Sequence, residues 1–290
     1  MANEFFRIIR YSLHSIKYYN KRIAKTLDMN KEFENKYAGK RCFILGNGPS
    51  LKDEDLSVLK DEYVFTVNQF ARKENFEEVK SNFHLWVDPV FFKIDHHNTG
   101  DLELLNTMVK ISDNNPDVVC FYPYVQIDFV KRFKLDEKLN IRYFMPHEKM
   151  SFYMSRKIRW DKYVPKFGTI VQYCISLAIY MGFKEIYLLG CDCTSLLVNF
   201  KSALDENDDK DYAYSLSENE KKRMKKMVSD TKLENYISIT LELFRDYRLL
   251  YEYCNNNGIK LVNCSCKTVL DSIPRIPLKE VLKMKDDQKT

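Results

Sequence analysis

The sequence predicts an α/β fold, a single mostly parallel sheet covered by helices on both faces. Three observations carry this. Short runs such as "RCFILG" (41–46) and "EIYLLG" (185–190) are apolar without alternation, as in strands buried on both faces. Longer segments of helical period separate them. The runs end in glycine and small polar residues, as strands do at the ligand edge of an open sheet.

The elements follow in order. "RCFILG" is the first strand, and "PSLKDEDLSVLK" (49–60) a short helix with Pro49 or Ser50 at its start. "YVFTVN" (63–68), "NFHLWVD" (82–88) and "DVVCFY" (117–122) are further strands. "TIVQYCISLAIYM" (169–181) is an apolar helix closed by Gly182, and "EIYLLG" a fifth strand. "ENYISITLELFRDYRLLYEYCNNNG" (234–258) is a long amphipathic helix closed by Gly258, and "IKLVNC" (259–264) the last strand. Residues 196–233 break the rhythm with a polar, highly charged insertion, the pattern of an active-site lid or of a surface loop.

The chain has 290 residues, 45% of them hydrophobic, enough for one large domain. It contains no run of 18 apolar residues, so no spanning helix is expected, and no signal-peptide pattern opens it. Eight cysteines scattered through a long chain suit reduced thiols in the cytoplasm. Cys191-x-Cys193 and Cys264-x-Cys266 follow strands, but C-x-C is not the usual zinc spacing. Buried thiols and no metal are expected.

The net charge of +5 sits at one end. Residues 1–40 hold nine Lys/Arg against four Asp/Glu, which leaves residues 41–290 neutral. A neutral body argues against nucleic-acid binding. Residues 1–40 read as a basic arm preceding a 41–290 domain. Within it, "FFRIIRYSLHSIKYYNK" (5–21) sets Arg7, Arg10, His14, Lys17 and Lys21 opposite Phe5, Ile9, Leu13 and Ile16. Such a helix suits the cytoplasmic face of an anionic membrane. The same pattern suits packing on the body or on a second subunit.

Candidate site residues come from the strand ends. Gly46, Asn47, Gly48, Pro49 and Ser50 form a turn whose glycines would admit a ligand to backbone N–H groups. It lacks the third glycine of a dinucleotide fingerprint and the lysine of a P-loop. Asn68 and Gln69, Asp88, and Gly190, Asp192 and Thr194 end other strands, and Gly168-Thr169 opens the apolar helix. Thr169 reads as an N-cap or a phosphate contact.

"FILGNGPSLKDEDL", "VNQF", "VDPVFF" and "GFKEIYLLGCD", in that order, resemble the bacterial sialyltransferases of lipooligosaccharide and capsule. "GTIVQYCISLAIYMGFKEIYLLGCD" with "GIKLVNCSCKTVLDSIPRIPLKEVL" is similar to the related DUF115 family, which includes the Maf glycosyltransferases. The resemblance implies a Rossmann-like, modified GT-A sheet. It implies metal-independent transfer of a nonulosonic sugar from a CMP-activated donor to a surface-glycan acceptor, without a cofactor. Asn47, Gly48, Ser50 and Asn68 would contact the cytidine nucleotide, and Asp192 stands in the matching Gly-x-Asp motif. Asp88 replaces the family's asparagine before proline. The family's lid histidine has no counterpart after His147, and its two phosphate-holding tyrosines are matched only by Tyr212 and Tyr214, further along. The base is left between Asp192, His147 and a lid acid. DUF115 relatives also resemble pterin pyrophosphokinases that use ATP, and loss of the lid histidine would equally suit a non-catalytic scaffold of glycan assembly.

Overall fold

The computed structural model describes residues 21–95, 97–197, 200, 212–222 and 232–286. Eight strands pair in parallel as one sheet. They are β1 (Arg41–Leu45), β2 (Tyr63–Val67), β3 (Phe83–Leu85), β4 (Val119–Pro123), β5 (Asn140–Lys149), β6 (Tyr163–Lys166), β7 (Glu185–Leu189) and β8 (Lys260–Asn263). The order across the sheet is β6-β5-β4-β3-β2-β1-β7-β8. The chain therefore winds outward from β1 to β6, then crosses back to the other side of β1. That reversal puts a topological switch point between β1 and β7, where open α/β sheets bind ligands at the strand C-termini.

α-Helices accompany the sheet, among them α1 (Lys21–Asp28), α2 (Thr99–Lys110), α3 (Ile127–Arg132), α4 (Met150–Tyr153), α5 (Ile170–Tyr180), α6 (Leu233–Asn256) and α7 (Leu278–Asp286). One face of the sheet, through Ile44, Phe65, Phe121 and Leu188, packs on α5 and α6. The other, through Phe43, Val64, Tyr122 and Tyr187, packs on α2, α7 and the turns after β1 to β3. All of α5 except Ile179 is buried, which explains why its sequence is apolar on every side. Phe43 and Tyr187 stack at 5.2 Å between β1 and β7.

Three expectations are corrected. β5 and β6 are strands that the sequence reading passes over. β5 is only half-buried and carries Pro146, and β6 is a four-residue edge strand carrying Pro165, so neither makes an apolar run. Residues 49–60 are not one helix but two 3₁₀ turns, Pro49–Asp53 and Leu56–Leu59, parted by extended Glu54. The third concerns residue 40, which does not separate an arm from the body. Asn30 is fully buried, donating to the carbonyls of Tyr143 (2.7 Å) and Trp160 (2.8 Å), and Phe33 lies in the core. The helix expected over 5–21 lies outside the described residues, save Lys21. No helix among the described residues is long and apolar enough to cross a membrane.

Candidate functional site at the switch point

At the switch point the turns after β1 and β7 clasp each other. Gly46 N–H donates to Leu189 O at 2.8 Å, and Gly48 N–H to Gly190 O at 2.9 Å. Gly190 has φ +59°, the left-handed region that glycine occupies without strain. A Cβ on Gly48 would lie 2.6 Å from Gly190 O and 2.6 Å from Asp192 Cγ. The glycines thus serve the approach of one turn to the other. The N–H groups of Gly46 and Gly48, expected to face a ligand, are occupied by the neighbouring strand end.

Asp192, 3% exposed, closes the clasp. One carboxylate oxygen accepts from Ser50 N–H at 2.8 Å and the other from the Ser50 hydroxyl. The first donors of the Pro49–Asp53 turn therefore meet a carboxylate of the same chain. Burial pushes the Asp192 carboxyl up, and the two Ser50 hydrogen bonds oppose that. Behind it, Thr268 donates its hydroxyl to Cys191 O at 2.8 Å, and Val269 N–H donates to Asp192 O at 2.9 Å. Cys191 N–H donates to Ser265 Oγ, also at 2.8 Å. The loop after β8 thus braces the loop after β7.

Beside the clasp lie amide side chains with their orientation fixed. Asn47 Nδ2 donates to Val67 O, the last carbonyl of β2, at 3.0 Å. Gln69 Nε2 donates to Glu220 Oε1 at 3.1 Å. Each nitrogen is committed, so each oxygen is an acceptor. Asn47 Oδ1, Asn68 Oδ1 and Gln69 Oε1 are buried and have no hydrogen-bond partner among the described residues. Asn68 adopts φ +47°, a left-handed conformation that asparagine tolerates better than most residues.

Residues 212–222 lie across this edge. Ala213 N–H donates to Asn47 O at 3.1 Å. Tyr212 and Tyr214 stack, 5.3 Å apart and 8° from parallel. Burial raises both phenols above their ordinary value, helped by the charge of Asp88 at Tyr212 and by Tyr212 at Tyr214. Both are neutral donors at physiological pH. Asp88 itself caps the turn after β3, accepting from Val90 N–H at 3.0 Å. Two anchors hold the segment. Glu220 is wholly buried, with Arg72 at 3.7 Å, and the Ser217 hydroxyl donates to Glu103 at 2.5 Å.

Other candidates stand apart. Thr169 is the N-cap of α5, its N–H donating to Gln172 Oε1 at 3.3 Å. Gly168 beside it is exposed, with Leu243 of α6 its nearest neighbour. Thr194 accepts Leu197 N–H through its carbonyl just past the β7 clasp. His147 is on β5, its ring 5.2 Å from that of Tyr163. β5 is four strands from β1, roughly 19 Å at the usual strand spacing. The Cys191 and Cys264 pairs follow adjacent strands, yet no three metal-ligating side chains gather among the described residues. Sequence reading missed Arg72, Glu103, Glu220 and Thr268. All four act across long sequence separations and belong to no local motif. It also missed Asp246 on α6, whose carboxyl burial raises to about 6.

A family model described as 6-hydroxymethylpterin diphosphokinase MptE-like matches residues 13–196, more than half of the chain. The chain belongs to the MptE-like family. The match takes in β1 to β7 and both halves of the clasp. Among solved structures, this MptE-like chain is similar to the sialyltransferase CstII from Campylobacter jejuni, solved with the substrate analogue cytidine-5'-monophosphate. That likeness has 19% identity over 83% of this chain and 86% of that one, with a TM-score of 0.45. It is also similar to the Maf glycosyltransferase from Magnetospirillum magneticum AMB-1, with 14% identity over 92% of this chain and a TM-score of 0.48. The chain spans 41% of that protein. No curated protein sequence matches the chain.

Proposed function

We propose that the chain is a glycosyltransferase that moves a nonulosonic sugar from a CMP-activated donor to a surface-glycan acceptor. The nucleotide would lie across the C-terminal ends of β1 and β2, beneath Tyr212 and Tyr214. The observation that carries the proposal is the hydrogen bond from Ala213 N–H to Asn47 O, which brings the segment holding Tyr212 and Tyr214 to the sheet edge where Asn47 and Gln69 hold fixed amide acceptors. Amide oxygens suit the exocyclic amino group of cytosine and the ribose hydroxyls. The ordered motifs of the sialyltransferases support the same donor.

In the reaction, the bond from the anomeric carbon to the phosphate oxygen breaks as the acceptor oxygen bonds to that carbon. The acceptor proton passes to a base, and negative charge collects on the departing CMP phosphate. Phenol donors aimed at that phosphate stabilise it most in the transition state. The acceptor would be lipid-linked, with the basic segment 5–21 resting on the membrane face where such acceptors lie.

A second reading follows from the family description: transfer of a diphosphate from ATP to a pterin-like alcohol. Adenine also carries an exocyclic amino group, so the amide acceptors suit it too. Calorimetry separates the two. Binding of CMP, with UMP and Mg-ATP weaker, supports sugar transfer. Binding of Mg-ATP with no cytidine nucleotide bound refutes it and favours the second reading.

A further inference from the structure

Asp192 is an acid at the switch point, and a free acid there would suit a base on the acceptor hydroxyl. Its surroundings point to another task. Both oxygens already accept from Ser50, one from the N–H and one from the hydroxyl. The side chain is sealed from solvent and lies against the space where Gly48 would carry a Cβ. Its own carbonyl accepts from Val269 N–H at 2.9 Å and from the Thr268 hydroxyl at 3.3 Å. The Lys267 ammonium, next in the chain, pairs with Asp53 at 3.0 Å, at the far end of the turn that begins at Pro49. A general base needs an oxygen within hydrogen-bond reach of the proton it takes. Asp192 instead spends its acceptors inside the fold, on the turn that carries Asn47.

We propose that Asp192 is a positioning residue. Its carboxylate ties Ser50 to the β7 turn and so holds Asn47 in register with Val67 and Ala213. This rests on the nucleotide seat proposed above and deepens it: the pair Asp192–Ser50 governs nucleotide affinity, not proton transfer. The chemistry distinguishes two substitutions. In Asp192→Asn the amide oxygen still accepts from Ser50 N–H, and the amide nitrogen donates to a Ser50 hydroxyl that has turned round. In Asp192→Ala neither link survives.

The test measures CMP affinity by calorimetry, and kcat and KM for CMP-sialic acid hydrolysis across pH. Positioning predicts that D192A weakens CMP binding roughly tenfold or more, the loss expected from about 1.4 kcal/mol or above. It predicts that D192N stays within about threefold of the parent, with an unchanged pH profile. Ser50→Ala, a smaller lesion, should raise KM and leave kcat. A base would behave otherwise. D192N and D192A would then lose kcat alike, by roughly 10²-fold or more, with CMP affinity intact. That result overturns the proposal. Hydrogen exchange over residues 42–56 reads the same link without a ligand. D192A should speed exchange there, S50A should do so less, and D192N should not. Equal protection in all of them overturns positioning even if no cytidine nucleotide binds. Absence of CMP binding by the parent protein, with D192A deprotected, would refute the nucleotide reading alone.

Discussion

Gly48→Ala is the sharpest perturbation of the switch point. Gly48 has φ −66° and ψ 148°, a conformation that alanine adopts freely, so backbone strain contributes nothing. Space decides the outcome. The added Cβ would meet Gly190 O and Asp192 Cγ, each at 2.6 Å, and one of the two turns must retreat. Overpacking of this kind costs about 1–3 kcal/mol. If the Asp192 carboxylate is pushed off Ser50, a hydrogen bond to a charged group goes too, at about 1.5–3 kcal/mol. Stiffening of the unfolded chain offsets about 0.4–1 kcal/mol of this. The net loss is about 2–5 kcal/mol, a large part of the ~5–15 kcal/mol that holds an ordinary domain together. Urea denaturation measures it. Gly258→Ala is the control: φ is +62° there, with nothing within 4 Å of the added Cβ, so strain alone acts, at about 1–2 kcal/mol. A G48A protein less destabilised than G258A would refute the view that the two turns are clasped through absent side chains.

Three more outcomes are expected. The Asp246 carboxyl is raised to about 6 by burial, and further by Glu242, while Lys149 opposes the shift. Its folded value lies above the unfolded one, so its ionisation destabilises the native state above pH 6, and that penalty vanishes below about pH 4. Asp246→Asn should therefore raise Tm at pH 8 and leave it unchanged at pH 4, as thermal denaturation will read. Tyr212→Phe and Tyr214→Phe should each lower kcat for CMP-sugar turnover by roughly 10²-fold, the cost of one lost donor to developing charge, with Kd for CMP little altered. Glu220→Gln leaves the half-buried Arg72 beside a neutral amide, and hydrogen exchange over residues 212–222 should rise while exchange over β1 does not.

Much of this fold is legible in the sequence because the central strands are buried on both faces. β1, β2 and β7 are apolar along most of their length, with Arg41 and Glu185 only at the strand starts and Thr66 the one polar residue within β2. β5 and β6 escape notice for the converse reason: half-burial and an edge position tolerate Pro146, Arg142 and Pro165, which a buried run would exclude. The candidate site is legible where it consists of strand ends. Asn47, Asn68, Gln69 and Asp192 all stand at the C-terminal edge, and Tyr212 and Tyr214 return to it from the charged insertion. What the sequence could not supply is which donor meets which acceptor. "GNGPS" suggests free N–H groups, but Gly46 and Gly48 spend theirs on Leu189 and Gly190, and Ser50 donates to Asp192. Those partners lie more than 130 residues away, and only the crossover from β6 back to β7 brings them together.

Calorimetric titration of the full-length protein with CMP, beside UMP and Mg-ATP, tests the central claim most directly. The account predicts saturable binding of CMP that weakens in D192A, with UMP and Mg-ATP weaker in the parent protein. Binding of Mg-ATP with no heat from any cytidine nucleotide would contradict it.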